Sequence, residues 1–214
     1  MEEGKKRITL AGPAQAELEE KRSRFIGFAA PVQSEKEAQE IVAARRALHK
    51  DATHNVWAYY IDGGVCARYS DDGEPQGTAG IPVLNVLKMS GATDLCVVVT
   101  RYFGGTLLGA GGLVRAYSAA AKQALDVAGF ASMEVYAVME IHCGYSEYQK
   151  LMVQLAALGA VQDSAVFGSD VEVIVAIEEG RASLVSELVR ELSSGRGTVV
   201  RLRLEERMSR SAGV

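Results

Sequence analysis

The chain has 214 residues, 48% of them hydrophobic and 23% charged, with a formal net charge of −4. That is enough apolar material for one large domain or two small ones, and no apolar run approaches the ~20 residues of a membrane helix. Residues 1–130 carry 15 Lys/Arg against 15 Asp/Glu and the remainder 8 against 12, so neither part is a polycation and any nucleic-acid contact needs a local basic patch.

The opening MEEGKKRITLAG lacks the apolar centre of a signal peptide. Residues 7–20 and 24–32 are expected to form two strands. Ser34 and Glu37, in SEKE, make a capping-box pattern before a helix in which Ala38, Ile41, Val42 and Leu48 keep helical spacing. HNVWAYYI reads as a strand, Asp62, Gly63 and Gly64 as a hairpin turn, and VCARYS as the returning strand. After the loop SDDGEPQGTAG, residues 81–90 are predicted helical, with Pro82 in the first turn and Gly91 as the stop. The strand over 94–103 contains LCVVV, a run suited to burial on both faces. A helix from about 111 to 128 follows, with Gly129 at its C-terminal cap.

MEVYAVMEIHC then alternates, placing Met133, Val135, Ala137, Met139, Ile141 and Cys143 on one face. SEYQKLMVQLAAL is an amphipathic helix, AVQDSAVF and DVEVIVAI are two strands, ASLVSELVREL is a second helix and TVVRLRLEE a last strand. That order, β-α-β-β-α-β, is the split βαβ pattern of a ferredoxin-like domain. The expected fold class is α+β, with domains over 1–130 and 131–208 and a tail over 209–214. Cys66, Cys96 and Cys143 lie in apolar runs without CxxC spacing, which points to buried reduced thiols and a cytoplasmic location.

Two stretches carry possible chemistry. RYFGGTLLGAGG joins a strand to a helix through Gly104, Gly105, Gly109, Gly111 and Gly112, flanked by Arg101 and Arg115. Unpaired N–H groups at a helix start favour an anion, glycine lets it approach, and arginine supplies counter-charge. The loop fits neither GxxxxGK[ST] nor the register of GxGxxG. In YSDDGEPQGTAGIP, Asp71, Asp72 and Glu74 could hold a divalent metal or act in acid–base work, and the same composition suits a solvated turn. His54 opens the strand HNVWAYYI beside Asn55, and would lie near that loop if the hairpin folds that way. No histidine has zinc-ligand spacing and no GxSxG elbow is present, so no catalytic residue is assigned and no cofactor is expected.

Four segments, KRSRFIGFAAPV, ATHNVWAYYI, YSDDGEPQGTAGIPVLNVL and VVVTRYFGGTLLGAGGLVRAYSAAAKQAL, resemble the YigZ/IMPACT family over about residues 18 to 128. The C-terminal part resembles the ferredoxin-like domain of bacterial members, itself similar to C-terminal domains of elongation factor G. The resemblance implies a first domain with a two-layer α/β fold, like the second domain of a small-subunit ribosomal protein. It also implies a role near translation, where the family's eukaryotic branch acts. The motif residues carried over are Asp71, Asp72, Gly73, Glu74, Gln76, Gly77, Arg101, Tyr102, Gly104, Gly105, Gly109, Gly111, Gly112 and Arg115. Kinase chemistry is not carried over, because the serine-rich phosphate loop of the similarly folded small-molecule kinases is missing. The resulting expectation is a non-catalytic binding protein with RNA, the ribosome or a translation-linked protein as partner, and no membrane. The alternative is a metal-dependent enzyme acting on a phosphorylated ligand through the SDDGEP carboxylates.

Overall fold

A computed structural model describes residues 7–209; the expected tail lies outside the described residues from 210 onward. The chain separates into two compact units, one running through Ser132 and the other Met133–Met208.

In the first unit the expected opening strand is two strands, β1 (Arg7–Leu10) and β2 (Ala14–Glu20). Gly12 and Pro13 separate them, since proline donates no ladder hydrogen bond and restricts the residue before it. Next come β3 (Ser23–Pro31), α1 (Glu35–Leu48), β4 (His54–Ile61), β5 (Cys66–Ser70), α2 (Gly80–Met89), β6 (Leu95–Tyr102) and α3 (Ala110–Ala128). The cap on α1 is as expected: the Glu37 N–H donates to Ser34 Oγ at 3.2 Å. A sheet of order β2-β3-β6-β4-β5 is antiparallel at every junction.

Strand alternation gives β6 two apolar faces. Val97 and Val99 share a core with Phe25, Val56, Leu113 and Tyr117, on the side of α2 and α3. Cys96 and Val98 pack with Tyr59 and with Ala38 and Val42 of α1. Helices therefore cover both faces. This corrects the two-layer expectation to helix–sheet–helix, as a strand apolar on both sides requires.

In the second unit β7 (Phe130–Cys143, entering from the first unit), α4 (Tyr145–Ala157), β8 (Val161–Phe167), β9 (Val171–Glu178), α5 (Ala182–Leu192) and β10 (Thr198–Ser209) follow in β-α-β-β-α-β order. β9 lies between β7 and β8, antiparallel to both, and β10 pairs with β7. Ala137, Met139, Ile141 and Cys143 form a core with Leu151, Leu155, Val185 and Val189 from the two helices. The apolar face begins later than its sequence pattern suggests, because Val135 is exposed. No helix among the described residues is long and apolar enough to cross a membrane.

Candidate anion-binding site

Cross-strand register fixes the floor of the site. Arg101 on β6 pairs with Phe25 on β3 and with His54 on β4, so the three share one face. Arg101 is almost closed off from solvent: its side chain is 6% exposed and that of Glu74 3%. Arg101 Nη1 donates to Glu74 Oε1 at 2.6 Å, and the Tyr117 hydroxyl donates to the same oxygen at 2.7 Å. Burial and the Glu74 carboxylate push the Tyr117 pKa up, which keeps its hydroxyl a donor. Arg101 Nη2 donates to Ser23 Oγ at 3.3 Å, and its guanidinium lies near the rings of Phe25 and Phe103. The sequence suggests Arg101 as counter-charge for a ligand; in the fold its charge is already matched by Glu74.

The three carboxylates of SDDGEP part company. Asp71 accepts from the N–H groups of Gly77, Ala79 and Gly80 at 2.9, 3.1 and 2.8 Å. Two of these belong to the start of α2, whose own N-cap is Ala79 and offers no side-chain bond, so Asp71 acts as a remote cap. Asp72 pairs with Arg46 of α1 and accepts the Asn55 N–H at 2.6 Å. Glu74 holds Arg101. Among the described residues no group of three or more His, Cys, Asp or Glu could hold a metal ion. The metal site of the alternative reading is therefore corrected: each carboxylate is committed to a different internal partner. Gln76 is exposed on the same loop.

Tyr102 separates from Arg101 because neighbours on a strand face opposite ways. Its hydroxyl meets His49 Nδ1 at 2.9 Å on the α1 side of the sheet. Arg45 Nη2 stands 2.9 Å from the other ring nitrogen. An arginine can only donate, so Nε2 accepts and Nδ1–H donates to Tyr102.

The glycines divide by task. A Cβ at Gly104 would overlap the Arg22 carbonyl, so this glycine permits contact between the loop and the β2–β3 turn. Gly105 and Gly109 have φ of +82° and +71°, which favours glycine. Gly109 caps α3 without a side-chain bond, and the first turn contains no acid. The N–H groups of Ala110, Gly111 and Gly112 precede the first intrahelical donor, Leu113, which bonds Gly109. Arg115 Nη1 lies 3.6 Å from the position a Cβ on Gly111 would take.

Sequence reasoning missed a cation beside this helix start, Lys21. Lys21 and Arg22 form the turn between β2 and β3, with φ of +46° and +66°. Such values are uncommon outside glycine, asparagine and aspartate. Lys21, Arg115, Gly112 and Leu108 line one depression of about 210 Å³, together with one carboxylate, that of Glu20. Among the described residues the side chains of Lys21, Arg22 and Arg115 have no hydrogen-bond or ion-pair partner. The available signal was the run KRSR within the first resembling segment. On the other side of Leu108 lies a larger pocket of about 410 Å³ that includes His54, Glu74, Arg101, Phe103 and Gly109.

Residues 21–125 match the Impact N-terminal domain, and residues 141–196 match a domain of unknown function, DUF1949. The IMPACT family member YvyE of Bacillus subtilis is 35% identical, across 90% of this chain and 89% of that protein. The IMPACT family member YigZ of Escherichia coli is 36% identical, across 92% and 97%. A solved structure described as that of a hypothetical protein superposes with a TM-score of 0.59 at 30% identity, covering 92% of this chain and 97% of that one.

Proposed function

Because the chain belongs to the IMPACT family, we propose that it is a non-catalytic, cytoplasmic binding protein linked to translation, and that its first unit grips phosphate groups of RNA at the start of α3. The observation that carries this reading is a pair of cations, Lys21 and Arg115, whose side chains have no partner among the described residues and which line one depression beside an uncapped helix N-terminus. The helix dipole and free N–H groups attract an anion there, and the cations add counter-charge. The left-handed backbone at Lys21 and Arg22 supports it, since strained conformations gather at functional sites. The three free cysteines, two of them buried, suit a reducing compartment. The second unit is a ferredoxin-like module, similar to the C-terminal domains of elongation factor G, that orients the first on its partner. Its support is the β-α-β-β-α-β order.

The test is binding to bulk RNA and to ribosomes across a salt series, with Lys21→Ala/Arg115→Ala beside the wild type. Each phosphate contact on a single strand contributes about −0.7 to the slope of log affinity against log salt. The double variant should lose about 1.4 units of that slope. Binding by the wild type that is insensitive to salt, or a slope unchanged in the variant, would sink the proposal.

A further inference from the structure

We propose that the pocket before the Glu74–Arg101 pair receives a nucleobase bearing an exocyclic amine, cytosine or adenine, while that nucleotide's phosphate lies at the first turn of α3. This deepens the phosphate-binding reading above and rests on it for the position of the phosphate.

The pocket has about 410 Å³ of space, within the usual range for small-molecule sites. Phe103, Leu107, Leu113 and Pro75 give it apolar walls. Phe103 is 45% exposed and presents a ring on which a base can stack. The polar groups are confined to the floor, and their unmet demands are specific. Glu74 Oε1 takes both hydrogen bonds from Arg101 and Tyr117. The other oxygen, Oε2, faces His54 Nε2 at 3.8 Å, beyond hydrogen-bond reach. His54 Nδ1 lies 2.8 Å from the Asp72 carbonyl oxygen. That oxygen only accepts, so Nδ1 carries the proton and Nε2 of the neutral ring is also an acceptor. With the ring neutral, two acceptors face each other with no hydrogen between them.

Arg101 lines the same pocket, is 5% exposed, and its buried Nε has no hydrogen-bond partner among the described residues. The site therefore lacks donors at Glu74 and His54 and an acceptor at Arg101. An amine beside an unprotonated ring nitrogen supplies that pairing, as on the base-pairing edges of cytosine and adenine. Uracil presents the reverse, a carbonyl beside an N–H, and would set its oxygen against the Glu74 carboxylate. The phosphate follows from continuity. Leu108 lines both depressions, Gly109 and Ala110 border the base pocket, and Gly112 and Arg115 border the cationic one, all at the start of α3.

The source can be a free nucleotide or one residue of an RNA strand, and the experiment separates them. Affinities are measured above neutral pH for CMP and UMP, for short oligo(C) and oligo(U), and for inorganic polyphosphate as an anion without bases. The expected result is a preference for cytosine over uracil of about tenfold or more. In the free nucleotides it identifies a nucleotide ligand; in the strands alone it identifies RNA. Phe103→Ala should weaken the cytosine and uracil ligands together, and His54→Ala should shrink the preference, both without weakening polyphosphate. Phe103 is exposed, so its truncation leaves the fold intact. Equal affinity for cytosine and uracil in both formats overturns the base pocket. Loss of polyphosphate binding overturns the phosphate site, whatever the base preference shows.

Discussion

Arg101 shows how a residue can be read correctly for charge and wrongly for task. Its guanidinium and the Glu74 carboxylate are both buried, and removing one partner strands the other's charge at about 3–5 kcal/mol. Arg101→Ala should therefore lower the unfolding midpoint of the first unit sharply. Arg115→Ala, on an exposed cation, should stay within about 0.5 kcal/mol of wild type. Denaturant melts of the two variants check this contrast. His49 gives a second expectation. Burial, and then the charge of Arg45, lower its pKa from 6.5. Below pH 6.5 the unfolded chain binds this proton more readily than the folded one, so His49 makes stability fall as the solution is acidified through that window. His49→Gln should flatten that part of a pH–melting-temperature curve. Melts at intervals between neutral and mildly acidic pH would show it.

At the scale of elements, α2 illustrates a dependence invisible to local patterns. Its first-turn N–H groups are satisfied by a carboxylate nine residues upstream of Gly80. Asp71→Ala should cost about 2 kcal/mol, and Asp71→Asn, which keeps one acceptor oxygen, should recover part of it. Thermal melts of the pair would check the order. Elements with strong local signals were legible in the sequence. These include α1 with its Ser34 cap, β6 with its unbroken apolar run, α3 ending before Gly129, and the β-α-β-β-α-β order of the second unit. The break between β1 and β2 was not, since RITLAGPAQAELEE has no clear period across it. The helix–sheet–helix layering was half legible: LCVVV implied two buried faces, but only tertiary packing assigns α1 to the second. Within the site, the glycine-rich stretch was legible as a strand-to-helix turn. The partners of its arginines were not, because Glu74 lies 27 residues before Arg101 and the KRSR turn some 80 before the loop that packs on it.

For the whole molecule, the decisive feature is that the buried clusters stay within their own units. Residues far apart with no shared partners contribute additively to stability. Scanning calorimetry should accordingly resolve two transitions, with Arg101→Ala lowering one and leaving the other in place. A single transition displaced as a whole by that substitution would show that the units unfold together. Two transitions would also give the RNA test its control, since a variant damaged in the first unit would then keep an intact second one.

The thiols carry a consequence of this arrangement. Cys96 lies in the α1-side core of the first unit and Cys143 in the core of the second. Burial raises the pKa of both, that of Cys96 to about 12, so neither is a competent nucleophile while its surroundings stay closed. Burial and the Glu35 carboxylate raise the pKa of Cys66 as well, but this thiol is only partly buried and needs no opening of a core to meet a reagent. The chain thus contains a matched pair of internal clocks. Under native conditions an alkylating reagent modifies Cys96 at a rate set by how often the first unit opens, and Cys143 at the rate for the second. The breathing of each half becomes countable by peptide mass, with no label introduced.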